Sequence, residues 1–241
     1  MVSRGEDDKR VVTIAWRSET GLVREQNEDT CLVADLDLER QLELGKAQQC
    51  SGKRGPLLVL CDGMGGAAGG EVASSMACDL IFRAMQLVPS TNDRSVLARC
   101  LRSAVRQASQ EIAAAAAAKK ELEGMGTTVS LAAIVANTAV VAQVGDSRAY
   151  ILRGSTLTQI TRDQSVVSAM IQTGALSEAR ARYSMERGRI LQALGTGDDV
   201  EVSLSIAELR EADRLLLCSD GLHDLVSDTA IAEACVIADL D

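Results

Sequence analysis

The sequence predicts an α+β domain built of stacked layers with mainly antiparallel sheets. Strand-length apolar runs come in blocks, two long helical patterns lie between those blocks, and the turns inside the second block are short. Alternating strand–helix–strand units, which would give a parallel sheet, are not what this order produces.

Taken in order, residues 1–10 are charged and read as a flexible tail, and residues 11–16 and 30–34 are short β-rich runs around a polar turn. Residues 35–55 are polar, end in Ser51-Gly52-Lys53-Arg54-Gly55-Pro56, and predict an exposed loop. Residues 57–61 form a buried-strand run that leads straight into Asp62-Gly63-Met64-Gly65-Gly66. Helical patterns follow over 71–87 and 95–120; the second holds six consecutive alanines from Ala113, a small face suited to close packing. Four β-like runs, 127–136, 139–144, 148–153 and 156–160, are joined by short turns and predict an antiparallel meander. Residues 164–172 read as helix, 177–188 as a charged surface flap, 201–205 and 214–219 as strands, and the stretch from Asp228 as helix. No repeat or linker interrupts this order, so residues 11–241 read as a single domain.

Composition narrows the function. With 46% hydrophobic residues in 241, a substantial core can form without disulfides, and 2% aromatics means that Leu, Val, Ile and Ala must build it. The net charge of −9 carries no basic block, which argues against nucleic-acid binding. Seven cysteines, an odd number with no CxxC pair, point to a reducing compartment. The first ten residues lack the apolar segment of a secretory signal, and no run is long enough to span a membrane. The expectation is a soluble cytoplasmic protein.

Four aspartates carry the chemistry. Asp62 follows the apolar run Leu57-Leu58-Val59-Leu60-Cys61 and precedes glycine; Asp220 follows Leu215-Leu216-Leu217-Cys218-Ser219 and also precedes glycine. Asp146 sits in the turn Gly145-Asp146-Ser147-Arg148, and Asp29 closes Asn27-Glu28-Asp29 just before a strand. A buried strand delivers its last residue to the sheet edge with little freedom, so such carboxylates would make a rigid cluster of oxygens. Crowded carboxylates repel and their pKa values rise unless cations neutralise them. Hard divalent ions, Mg²⁺ or Mn²⁺, suit an all-oxygen set. Any one aspartate before glycine could be only a turn residue; that reading strains when applied to all four.

The series Arg24-x-x-Asn27-Glu28-Asp29, Asp62-Gly63-Met64-Gly65-Gly66, Gly126-Thr127-Thr128, Gly145-Asp146-Ser147-Arg148 and Ser219-Asp220-Gly221-Leu222-x-Asp224 resembles the metal-dependent protein phosphatases. These are the type 2C Ser/Thr phosphatases, here in their compact bacterial form. The motifs keep the family's order and cover residues 21–227. The resemblance implies a four-layer α-β-β-α sandwich, two mainly antiparallel sheets flanked by helix pairs. It implies that Asp62 bridges two cations, Mn²⁺ or Mg²⁺, that the Gly63 carbonyl completes one shell, and that Asp220 holds the other ion. Asp29, joined by Glu28, would orient waters; Asp146 with Asp220 would make a weaker third site; Arg24 would grip the substrate phosphate. Water activated between the cations would then attack phosphorus in line, with no phosphoenzyme. The implied partners are a phosphorylated protein and a cognate Ser/Thr kinase, and the implied state is a monomer.

The glycine-rich stretch after Asp62 lacks the Lys-Ser/Thr of a P-loop, so it is not a nucleotide cradle. His223 is the only histidine, at a position the family leaves variable, and reads as a surface or packing residue. Gln164 stands where the family often has histidine, a change expected to leave the metals untouched. The family pattern also ends on a strand opened by Asp-Asn, and no such pair follows Asp220. Asp239 or Asp241 could replace that ligand only if the tail folded back; otherwise one cation is weakened and a sheet edge exposed. This keeps a second reading alongside active phosphatase: a phosphatase-like domain that binds phosphoprotein without turnover. A structural scaffold with incidental acidic turns comes third.

Overall fold

Alternation along one central sheet generates the layers. The structure, a computed structural model, describes residues 11–43, 45–50, 53–65, 69–181, 183–197 and 199–237. The expected tail, Gly66 of the glycine-rich stretch, and the two candidate substitute ligands Asp239 and Asp241 lie outside them.

The first half holds β1 (Val12–Ile14), β2 (Asp29–Asp35), β3 (Arg40–Gln41), β4 (Gln48–Cys50), β5 (Pro56–Met64), α1 (Gly69–Gln86) and α2 (Arg94–Ala118). After α2 come β6 (Gly126–Thr127), β7 (Val129–Val135), β8 (Thr138–Val144), β9 (Arg148–Arg153) and β10 (Thr156–Gln159). The rest comprises α3 (Val166–Gln172), α4 (Glu178–Ala181), β11 (Ser203–Glu208), β12 (Arg214–Cys218), α5 (Asp220–His223) and α6 (Asp228–Ile237).

The central sheet runs β11-β8-β7-β5-β2-β3, with β6 also on β5, and every pair in it is antiparallel. Leu32, Leu57, Val59, Leu131, Ala133, Val140 and Ala142 point to one face and pack against α1 and α2. Those helices present Ala73, Ala77, Ile81, Met85 and Leu97, Leu101, Val105, Ile112, the spacing of one helical face. Asp93 caps α2 by accepting from the Ser95 and Val96 amides at 2.8 and 3.3 Å. Of the six alanines, Ala115 and Ala116 pack on the core while Ala114, Ala117 and Ala118 are exposed, so close packing uses only part of that run.

The opposite parity of the central sheet meets a second β layer. Val33 and Leu58 pack against Ile14 of β1 and Cys50 of β4, while Ala132 and Val141 pack against Ala149 of β9 and Leu215 and Leu217 of β12. This layer has two pieces, the ribbon β1-β4 and the sheet β10-β9-β12. Tyr150 and Cys218, which alternate with those inward residues, feel the charged groups of α6, so α6 covers the outer face. The α-β-β-α order follows. Among the described residues β12 has one strand neighbour, β9.

Two expectations need correction. Residues 35–55 are not simply an exposed loop: they contain β3 and β4, and Asp35, Leu36, Leu42 and Cys50 are buried. Asp35 caps its own turn, accepting from the Asp37 and Leu38 amides at 2.9 and 3.1 Å, which satisfies a buried carboxylate locally. The four β runs do not form one meander either. β7 pairs β8 and β9 pairs β10, but β8 and β9 lie in different sheets, so the Gly145–Arg148 turn is a corner between layers.

Candidate metal centre

The site lies where three strands and that corner end together. Asp62 on β5 sits directly opposite Asp29 on β2, and on its other side Thr128 donates its amide to the Asp62 carbonyl at 2.9 Å. The Asp62 amide donates to Thr128 Oγ1 at 3.1 Å, and Thr127 Oγ1 donates to the Asp62 carbonyl at 2.9 Å. Asp62 therefore has its backbone fixed from both the main chain and the side chains of Thr127 and Thr128.

Gly63 follows because nothing larger fits. A Cβ there would come within 2.6 Å of the Glu28 carbonyl and would also strike the Gly70 backbone, neither of which is a flexible side-chain tip. The Glu28 carbonyl is itself engaged, accepting from the Gly63 amide at 3.2 Å and the Ser74 hydroxyl at 2.6 Å. Glu28 is thus placed beside the start of α1.

The corner that carries Asp146 is held as firmly. Gly145 has φ +101°, a region glycine tolerates, and a Cβ would run into the Thr128 side chain. Thr128 and Ser147 share a hydroxyl–hydroxyl bond of 2.8 Å, and Ser130 donates to the Ser147 carbonyl at 2.5 Å. Gln143 donates to the carbonyls of Gly145 and Ser147 at 3.2 and 3.1 Å. Gln164 Oε1 accepts from the Gly145 amide at 2.7 Å, while its Nε2 donates to Ser203 Oγ at 3.0 Å. Gln164 therefore braces the turn that carries Asp146. Arg148 is committed to Asp163, at 2.7 Å, and is not available to an incoming anion.

Asp220 starts α5 immediately after β12, and Ser219 before it donates to Asp29 Oδ2 at 2.7 Å, tying the two layers together. The electrostatics show one group. Burial, then the charges of Asp29, Asp220 and Asp146, push the Asp62 carboxyl up to about 9. Burial, then Asp220 and Asp163, push Asp146 up to about 6, with His223 acting the other way. Asp29 is raised by burial and by Asp220, against the lowering hydrogen bonds of Ser219 and Asp62 and the nearby charge of Arg24. Arg24 itself is exposed at the mouth.

This donor set fits hard divalent cations. Asp29, Asp62, Asp146 and Asp220 lie close enough to feel one another's charge, and Asp29, Asp62 and Asp146 resist ionisation for want of countercharge. Among the described residues no three His, Cys, Asp or Glu side chains converge tightly enough to grip an ion alone. A shell completed by waters and a backbone carbonyl suits such spacing, as Mg²⁺ and Mn²⁺ commonly require.

The structure brings Asp29, Asp62, Asp146 and Asp220 together, with Arg24 and Glu28 at the rim. Sequence reasoning named Thr128, Ser147 and Ser219 only as motif members without a role and missed Gln143; the structure shows all four positioning the carboxylates or the corner that carries them. His223, expected on the surface or in packing, has a side chain only 2% exposed.

A family model for Protein phosphatase 2C matches residues 46–236. The chain belongs to this family. It is 39% identical over 230 residues to the serine/threonine protein phosphatase PstP of Mycobacterium tuberculosis, covering 95% of this chain and 40% of that protein. It is 34% identical over 218 residues to the serine/threonine phosphatase stp of Listeria monocytogenes, covering 90% of this chain and 81% of that protein. Among solved structures, the catalytic domain of PstP in complex with two manganese ions superposes with a TM-score of 0.74 at 37% identity, covering 96% of this chain and 86% of that one. The chain thus spans about 40% of the length of PstP.

Proposed function

We propose that this chain removes phosphate from phosphoserine and phosphothreonine side chains of proteins, using water and two Mn²⁺ or Mg²⁺ ions at the carboxylate corner. The observation that carries this reading is the half-buried Asp62 set among Asp29, Asp146 and Asp220 at the junction of two β layers, in a member of the protein phosphatase 2C family. When bound, the cations neutralise these carboxylates and acidify a water lying between them.

Asp62, central to the group, would hold both ions, with the Gly63 carbonyl and Asp220 as further ligands. Asp29, oriented by Ser219, accepts a hydrogen bond from the attacking water and aims it, with Glu28 beside it. Asp146, with Asp220, would hold a weaker third ion. Arg24, exposed near Asp29, offers a planar pair of N–H donors to two phosphate oxygens and offsets charge as the bond to the leaving oxygen breaks. No side chain need act as nucleophile: burial pushes the Cys31 and Cys218 thiols up to about 12, which keeps them protonated.

Residues 11–241 act as one catalytic unit, monomeric and cytoplasmic, opposed by a cognate Ser/Thr kinase. All seven cysteines are free, which supports a reducing compartment, and no helix among the described residues is long and apolar enough to cross a membrane.

The test is hydrolysis of phosphoserine and phosphothreonine peptides with Mn²⁺, with chelator, and by Asp62→Asn. Manganese-dependent release of phosphate that is lost in the variant supports the reading. Manganese binding with no turnover would replace it with the phosphoprotein-binding alternative.

A further inference from the structure

Arg24 rides on a segment that the core does not hold. Residues 19–26 are all exposed, and among the described residues no side chain of 20–26 makes a hydrogen bond or an ion pair. Ordering each residue of such a stretch costs conformational entropy, so left to itself it samples many positions. A phosphate grip needs the opposite, a guanidinium held in one place relative to the reacting atoms.

One bond closes the segment. Asn27 Nδ2 donates to Ser18 Oγ at 2.8 Å, joining two residues nine apart on either side of it. Both are partly buried, unlike the residues they bracket. The same Asn27 side chain accepts from the Asp29 amide through Oδ1 at 3.1 Å. That second bond decides which way the amide faces: with Oδ1 taken by an N–H donor, Nδ2 is left for the hydroxyl. Asp29 opens β2, directly opposite Asp62, and its carboxylate takes the Ser219 hydroxyl. Asn27 therefore fastens both feet of the segment to the strand that carries Asp29. Arg24, three residues before Asn27, stays within about 11 Å of it even on a fully extended chain. Without the bond to Ser18, the next anchor on that side is Trp16, which packs with Ile14 and Cys50 away from Asp29.

We propose that Ser18 and Asn27 form a clasp that positions Arg24 for the substrate phosphate. This rests on the phosphatase reading above and adds to it a residue, Ser18, that lies outside the carboxylates and the arginine. Ser18 touches neither substrate nor cation; it is a positioning residue that acts through Arg24. Loosening the clasp weakens the hold on phosphate in the bound substrate, an effect that belongs to KM.

The test is a double-mutant cycle on Ser18→Ala and Arg24→Gln, with a phosphothreonine peptide and Mn²⁺. Ser18→Ala should raise KM about three- to tenfold, what one hydrogen bond of ordinary net strength supplies, with kcat and Mn²⁺ affinity held. Inhibition by inorganic phosphate should weaken by the same factor. Ser18→Thr, which keeps the hydroxyl, should restore both. In the Arg24→Gln background Ser18→Ala should do nothing further, because the clasp works through the guanidinium. Amide hydrogen exchange over residues 19–26 should quicken in Ser18→Ala while the urea midpoint stays put, which separates a loosened loop from a damaged fold. An unchanged KM in Ser18→Ala, or an equal rise on top of Arg24→Gln, overturns the clasp and leaves the phosphatase reading standing. No turnover by wild type overturns both.

Discussion

Replacing Asp62 by Asn should stabilise the metal-free protein at neutral pH while crippling its response to metal. The Asp62 carboxyl is pushed up to about 9 from an ordinary 3.8, by burial and then by Asp29, Asp220 and Asp146. With the folded value raised, the folded state holds a proton that the unfolded chain releases, so stability falls as pH rises from about 4 to about 9. At pH 7 the separation from the ordinary value of 3.8, at 1.36 kcal/mol per pH unit, sets this cost at about 4 kcal/mol. Relaxation and water entry trim it to about 2–4 kcal/mol. Asparagine has the shape of the protonated acid and keeps the backbone bonds to Thr127 and Thr128, so it escapes the cost. For a chain of this length the gain is about 4–16 °C in Tm. Thermal melts in chelator at pH 7 and pH 4.5 test this, with the gap shrinking below about 1 kcal/mol at the lower pH. Added Mn²⁺ should then raise the wild type by mass action and the variant far less. If the Asn variant were no more stable than wild type in chelator at pH 7, or if the gap were independent of pH, the crowded-carboxylate account would be wrong.

Three further substitutions probe the supports. Thr128→Val removes the acceptor of the Asp62 amide and the partner of Ser147, and should cost about 1–3 kcal/mol in urea unfolding together with a fall in kcat. Ser219→Ala leaves Asp29 without its 2.7 Å donor, so calorimetry should show Mn²⁺ affinity lower by about 10–100-fold with little loss of stability. Arg24→Gln, at the exposed rim near Asp29, should raise KM for a phosphopeptide while Mn²⁺ titrations stay unchanged.

What the sequence discloses about this molecule follows from the range of each signal. Apolar runs ending in Asp-Gly reveal β5 and β12 because burial of a strand is written in consecutive residues, and the residue after the run must emerge at the sheet edge. The helical periods over α1 and α2 are legible for the same local reason, to within two residues at each end. Which sheet a strand joins is not local. The turn from β8 to β9 has the composition of a hairpin, yet it crosses layers because Ala149 must pack on Ala132 and Val141 of the other sheet. Contacts such as Ser219 with Asp29, 190 residues apart, and Thr128 with Asp62, 66 apart, leave no trace in either neighbourhood. The buried state of His223 was hidden similarly, since a lone histidine between Leu222 and Asp224 carries no period of its own.

The most direct test of the central claim is anomalous diffraction from crystals of this protein grown with Mn²⁺. The account predicts two strong peaks sharing the Asp62 carboxylate, one of them also on Asp220, and a weaker peak between Asp146 and Asp220. Manganese bound elsewhere, with nothing at Asp62, would contradict it.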